Sequence, residues 1–380
     1  MTQFPPVSSA TEGTRPGGEL LRRGIAVLGP ALAVIAVQLV RYPVPLGVWV
    51  QGLVSGLLNS LVVLGMMLVY RANRVVNFAQ ASIGTYPSAL AIGLLIFGAP
   101  ALGVSIGMGA VAALVIGTSA VLLLGWSPGR AAAVGAVVLV GTVVGLWACD
   151  ALGYWGALLT GLVTAAGIGL GIDALVVARF RRSPRLVLTV ATIGLAQFFA
   201  VGALLVPRLW GHLQLARKGA PDLGVPWGFS FTIGTTVFGG DEVMAVLVSV
   251  ACLVGVTLAL RRSDLGIAVR ASAERSDRAS MLGVPVPQVE AGVWVVAAVL
   301  AFLGTFLQAA ILGLEITAGV GLRVMVAALA ALALAGFESL PVALTSAVAV
   351  GILSQATGPA GGGSVTTTDT VLAVVVLVGL

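Results

Sequence analysis

Charge is what this sequence has least of. Only 9% of its 380 residues are Asp, Glu, Lys or Arg, against about 25% in an ordinary soluble domain. From Val75 to Gly129 there is none at all. That run is long enough for two bilayer crossings at roughly 20 apolar residues each. A water-soluble fold would have to build its surface from the Leu, Val and Ala of that stretch, so an aqueous globular protein is excluded.

Reactive side chains are equally scarce. The one lysine, Lys218, does not stand in a G-x-x-x-x-G-K-[ST] phosphate loop, which excludes a standard P-loop ATPase within this chain. The one histidine, His212, falls in a loop, and Cys149 and Cys252 lack C-x-x-C spacing. No metal-ligand cluster and no nucleophile–base pair can be assembled. An enzyme working inside a membrane would place such groups within its spans. The sequence therefore predicts no metal, no catalytic residue and no cofactor of its own.

What is abundant is apolar: 59% of residues are hydrophobic and mean hydropathy is +1.10. The net charge of +6 does not suggest nucleic acid, because the arginines sit in short clusters between apolar runs. Residues 1–23 are polar and rich in Pro, Gly, Ser and Thr, and read as a disordered cytoplasmic tail. Residues 24–380 read as one transmembrane domain, an all-α polytopic bundle of about 10–12 spans including half-helices. The expected spans are 24–40, 48–70, 86–99, 101–125, 131–149, 155–178, 186–207, 243–260, 291–313, 320–335, 341–354 and one starting near 370. The short segments 86–99 and 341–354 are candidates for half-helices. Only ten apolar residues run from Val371 to Leu380, so the last helix either begins upstream in the Thr-rich stretch or belongs to a truncated chain.

Placing the N-terminus in the cytoplasm and alternating tests this map. Arg15, Arg22 and Arg23, Arg71 and Arg74, Arg130, the four arginines of 179–185 and the five of 261–278 then all fall inside, fifteen of the twenty basic residues. The positive-inside rule expects that bias. The 51 glycines fit a bundle in which helices approach closely without a hydrophobic reward for association.

Two segments stand out. The stretch RRSDLGIAVRASAERSDRASMLGVPVPQVE, Arg261–Glu290, carries the densest mixture of charges, and Ala268, Ala271, Met281 and Leu282 suit a short amphipathic helix broken at Gly283 and Pro285. It reads either as a solvated connector or as a docking helix for a cytoplasmic partner. The stretch RANRVVNFAQASIGTYPS after Tyr70 places Asn73, Asn77, Gln80, Ser82 and Thr85 beside Gly84 and Pro87. Uncharged polar groups next to helix breakers suit a discontinuous helix lining a polar cavity, or simple interhelical hydrogen bonding.

At these segments the chain resembles the permease subunits of branched-chain amino acid ABC transporters. Asn77, Phe78 and Ala79 match the family's Asn-Phe-Ala motif, whereas Gln80 and Ala81 stand where it has His-Gly. Thr192, Ile193 and Gly194 match a Thr-Ile/Leu-Gly signature. Arg270, Ala271, Ala279, Leu282 and Gly283 are in register with a cytoplasmic coupling loop. The resemblance runs roughly from Leu57 to Leu353, with a region from about Ala101 to Cys149 that is longer by a helix pair. ALAGFESLP replaces the family's glycine-rich motif near Gly336.

The resemblance implies a heteromeric importer in the cell membrane. It would have a second permease subunit, two ATP-binding subunits that carry the ATP, and an extracellular substrate-binding protein. It implies a translocation pathway near Asn77, Phe78, Gln80, Thr192 and Gly194. It also implies a coupling loop of Arg270, Ala271, Glu274, Arg275, Arg278, Ala279, Leu282 and Gly283. In that loop the two later arginines would pair with acidic groups while Ala271, Ala279 and Leu282 fill a groove. The alternatives are a stand-alone secondary transporter or channel, for which Asp173 is the nearest intramembrane acid, and a membrane enzyme or scaffold.

Overall fold

A computed structural model describes residues 16–181, 183–212, 225, 227–234, 236–274, 276–312, 320–337 and 339–379. Among them, ten helices are long and apolar enough to cross a membrane, and the chain is an all-α polytopic protein. The helices are α1 (Pro16–Arg41), α2 (Leu46–Asn73), α3 (Gln80–Phe97), α4 (Leu102–Leu124), α5 (Pro128–Ile172), α6 (Ala178–Phe180) and α7 (Arg185–Leu205). After them come α8 (Gly240–Arg262), α9 (Asp264–Glu274), α10 (Ser276–Met281), α11 (Val286–Leu312), α12 (Val320–Leu334), α13 (Leu340–Thr357) and α14 (Val365–Gly379).

Helix α5 is two spans joined at a kink, where Gly153 takes φ 52° and ψ −126°. A side chain is strained at that φ, so glycine turns the chain without a loop. The sequence-derived gap between 149 and 155 corresponds to this kink. Helix α1 starts at Pro16, so residues 16–23 are helical rather than part of the expected tail, while 1–15 lie outside the described residues. The segments expected to be half-helices are longer than the sequence suggests: α3 and α13 have 18 residues each. The shortest apolar members are α12 and α14, of 15 residues each. Helix α14 begins at Val365, within the Thr-rich stretch.

The centre of the bundle is α2, 89% of whose most apolar window is buried, against 22% for α4 and 17% for Pro128–Cys149. The extra helix pair is therefore peripheral. Small residues set the closest approaches. Gly56 of α2 and Gly351 of α13 are in backbone contact, and a Cβ on Gly304 of α11 would lie 3.0 Å from the Leu58 carbonyl of α2. In lipid, such close packing takes over the work that burial does in water.

Helix ends gather at two faces. Tyr70 and Phe337 rings meet at 5.0 Å at one face, and the Trp210 indole donates to Gly98 O at 2.9 Å at the other. The first face carries Arg71, Arg74, Arg130, Arg179, Arg181, Arg185, Arg261, Arg262, Arg270 and Arg278, all at helix ends that the alternating spans bring to that side. Arg41, Arg208 and Arg323 belong to the second. At this second face a β-hairpin, β1 (Ser230–Ile233) paired antiparallel with β2 (Thr236–Gly239), precedes α8. It rests on the start of α2, where Gly47 leaves room for Thr236 and Ile233. No strand is expected here from composition or periodicity.

Candidate functional site

The Asn-Phe-Ala segment forms the turn between α2 and α3. Helix α2 ends where Arg74 adopts a left-handed conformation, φ 54° and ψ 32°, with its N–H donating to Tyr70 O. Asn77 then folds back on itself. Its Oδ1 accepts from the Ala79 N–H at 3.1 Å, and its Nδ2 donates to Gln80 Oε1 at 3.0 Å. Such a local Asn turn substitutes side-chain atoms for helical backbone partners. Gln80 Nε2 donates to the Ala297 carbonyl of α11 at 2.8 Å. Thr192 Oγ1 of α7 accepts the Phe78 N–H at 3.3 Å and donates to Thr189 O at 2.7 Å.

One polar knot thus ties α3, α7 and α11 together at the arginine-rich end, with α2 beneath it because any Cβ on Gly65 would meet Gln80 Nε2. Asn77, Gln80 and Thr192 are all buried, and their bonds run to protein in this conformation. Phe78 is half-buried. Gly194 lies on the outward face of α7, with nothing within 4 Å of an added Cβ. Four of the five proposed pathway residues are brought together, and Gly194 is set apart from them.

Along the same face of α3, Ser88 Oγ bonds Gly84 O and Thr305 Oγ1 of α11, both at 2.8 Å. Several buried polar atoms nearby lack a hydrogen-bond partner among the described residues, Asn73 Nδ2 and Trp294 Nε1 among them, and one side chain lacks partners on both of its polar atoms. Asn59, in the middle of α2, is 7% exposed, and among the described residues neither its amide nitrogen nor its oxygen has a hydrogen-bond partner. An orphan of this kind costs about 1–3 kcal/mol unless water or a solute completes it. Sequence reasoning missed it, although Asn inside an apolar run such as LLNSLVVL was the available signal. Asn59→Leu is expected to raise the thermal stability of the purified protein while lowering uptake. A gain in stability with unchanged uptake would show that Asn59 has no contact with the transported solute.

A second cluster lies at the same arginine-rich end. After Ile172 the chain widens into a π-helical turn, Asp173–Val177, an uncommon form that needs local support. The Asp173 carboxylate is fully buried. Arg181 reaches back to it at 3.4 Å and holds Glu290, in the first turns of α11, with its Nε at 2.7 Å. One guanidinium thus clamps the end of α5 to the beginning of α11. The sequence marks Asp173 as an intramembrane acid but does not link it to Arg181 and Glu290, because the cluster joins distant parts of the chain.

The coupling-loop residues occupy α9, α10 and the turn into α11. Ser263 starts α9 by accepting the Gly266 N–H at 3.1 Å, and Arg270 folds back to donate to Leu260 O of α8. Gly283, at φ 85°, closes α10 as a left-handed cap. Arg278 is exposed and Ala271 half-buried. The side chain of Glu274 and all of Arg275 lie outside the described residues. Ala279 is a correction: it is 3% exposed and packs inside the chain, so it cannot fill a partner's groove while α10 sits as it does. The large apolar side chains exposed here are Met281, 79% exposed, and Leu282, 84% exposed.

Comparison with known sequences fits this architecture. The profile of the family described as "branched-chain amino acid transport system / permease component" matches residues 129–380. The chain is 28% identical over 229 residues to the high-affinity branched-chain amino acid transport system permease protein LivH of Escherichia coli K12, covering 58% of this chain and 68% of that one. It is 25% identical over 202 residues to BraD, the permease protein of the corresponding system in Pseudomonas aeruginosa, covering 52% of this chain and 62% of that one. No solved structure matches.

Proposed function

The chain belongs to the family of branched-chain amino acid transport system permease components, and from that premise we propose that it forms the translocation pathway of an ATP-driven importer. The substrates are branched-chain amino acids or related small polar solutes. ATP is bound and hydrolysed on separate subunits seated against α9 and α10. A second permease subunit completes the pore, and an external binding protein delivers the solute. The arginine-rich end faces the cytoplasm, and the protein resides in the cell membrane. As a permease component the chain is a transport subunit rather than an enzyme.

One observation carries this reading. An apolar knob, Met281–Leu282, projects beside Arg278 from a short helix pair that leads directly into α11. An apolar anchor rimmed by charge is how protein–protein hot spots are built. A solvated connector has no use for two exposed large side chains. Through Glu290 and Arg181, a push on α10 reaches α5, and through Ala297 and Gln80 it reaches α3. The residues of the knot, Asn77, Phe78, Gln80 and Thr192, then line the path once α11 moves, with Gly194 facing the second subunit.

Reversing the charge of Arg275 and Arg278 together, with Leu282→Asp, is expected to reduce uptake to background while leaving insertion and the amount of membrane protein unchanged. Uptake at the wild-type rate by that variant would remove the docking assignment.

A further inference from the structure

We propose that the cavity enclosed by α4, α5 and the start of α11 is a lipid site that holds one acyl chain of an anionic phospholipid from the arginine-rich leaflet. The cavity has a volume of about 360 Å³ and is walled by Ala120, Leu124 and Trp126 from the end of α4, by Val134 and Leu170 from α5, and by Val295 from α11. Volumes of about 300–1,000 Å³ are typical of small-ligand sites. All these residues lie in or immediately beside membrane spans, at the end of the bundle where Arg130, Arg179 and Arg181 emerge.

The chemistry of the wall selects the occupant. Water needs two or more polar partners in a cavity. The one hydroxyl here, Ser119, already donates to Val115 O at 2.7 Å. The other polar side chain of the lining, Gln288, is exposed, so it serves a headgroup at the mouth and leaves a polar solute no second partner within. An empty apolar void forfeits dispersion contacts on every side, and the apolar material available at this depth is the acyl chain. The mouth is open to it: Leu124 is 47% and Trp126 37% exposed, and Gly292 on the rim has nothing within 4 Å of an added Cβ. The outer faces of the same helices are apolar throughout, with Leu114 69%, Leu122 61% and Val137 71% exposed, which is a lipid-facing surface.

Charge completes the argument. Arg130 stands four residues before Val134 on α5, so it shares that face and sits one turn nearer the membrane edge. It is exposed, and a phosphate above the cavity would meet its guanidinium. Trp126 at the same level is the amphipathic side chain expected at a headgroup boundary. An acyl chain here would wedge the peripheral helix pair against α11 beside Glu290. The site does not depend on the importer reading.

The experiment is a lipid titration of the full-length, delipidated protein in detergent, read by native mass spectrometry. The probes are 1-palmitoyl-2-oleoyl phosphatidylglycerol and the phosphatidylcholine with the same chains. Gly292→Phe and Val134→Phe fill the cavity from opposite walls, and each is expected to weaken the first phosphatidylglycerol binding event by about tenfold. Arg130→Gln should abolish the preference for phosphatidylglycerol over phosphatidylcholine. Gly103→Phe, which adds the same bulk in open space at the other end of α4, should change nothing. Unchanged binding in both filled variants would overturn the proposal, as would an equal loss in Gly103→Phe. A change in self-association in place of lipid binding would assign the cavity to a second copy of the chain and also overturn it.

Discussion

Arg181→Leu is expected to lose most of the folded protein. The substitution leaves Asp173, fully buried, and Glu290, whose side chain is 10% exposed, facing each other without the cation between them. Removing one partner of a buried ion pair costs about 3–5 kcal/mol, chiefly because the other charge stays desolvated. Two carboxylates around one guanidinium place this case at the upper part of that range. Arg181→Lys should be nearly as damaging, since an ammonium lacks the fork that lets one side chain serve two carboxylates. Fluorescence-detected size-exclusion chromatography with a heat step reads the loss. Combining Arg181→Leu with Asp173→Asn and Glu290→Gln should restore the folded peak, because no buried charge is then left unpaired. If the clamp carries motion from α10 into α5, the triple variant will fold and insert but transport poorly. Full transport by the triple variant would leave the cluster with a structural role alone.

Gly84→Leu is expected to be the most damaging single change in the membrane core. A Cβ there runs into the Ala301 carbonyl of α11, with Thr305 Oγ1 2.8 Å away. The obstacle is backbone, so no rotamer change relieves it, and the two helices must separate. Overpacking costs about 1–3 kcal/mol where side chains can yield. Here separation would also break the Ser88–Thr305 bond and loosen the Gln80–Ala297 bond one turn away. We expect no monodisperse protein. Gly255→Leu, with nothing within 4 Å of its added Cβ, is the matched control and should behave as wild type in the same chromatogram. Equal behaviour of the two variants would contradict the close α3–α11 packing.

Much of this architecture is legible in the sequence because the bilayer imposes a one-dimensional constraint. Apolar runs of fixed length mark the spans, and clusters of arginine alternate with them. Local signals carried further: the Arg74–Gln80 turn, the break at Gly283 and the gap that became the Gly153 kink all follow from a few adjacent residues. Pairings between distant helices left no such trace. Nothing in the neighbourhood of Glu290 announces Arg181, and nothing in LLNSLVVL says that Asn59 would be left without partners. Ala279 failed for a related reason. On a helix as short as α10, composition does not show which face turns inward, and the buried face proved to be the one with the small residue. The expected half-helices were too short because polar residues such as Gln80 and Ser82, which sit inside α3, read as loop when burial is unknown. The β-hairpin is formed by uncharged Thr, Phe and Gly residues whose pairing depends on a turn that composition only weakly marks.

On the proposed function, α9 and α10 seat an ATP-hydrolysing subunit. The most direct measurement is purification of the tagged chain from its native membranes in gentle detergent, with mass spectrometry of everything that co-elutes. An ATP-binding subunit is expected in near-equal amount, lost when Met281 and Leu282 are both changed to Asp while the permease itself remains folded. A stable, transport-competent preparation with no ATP-binding subunit, or one that keeps its ATPase despite those two substitutions, would contradict that seating.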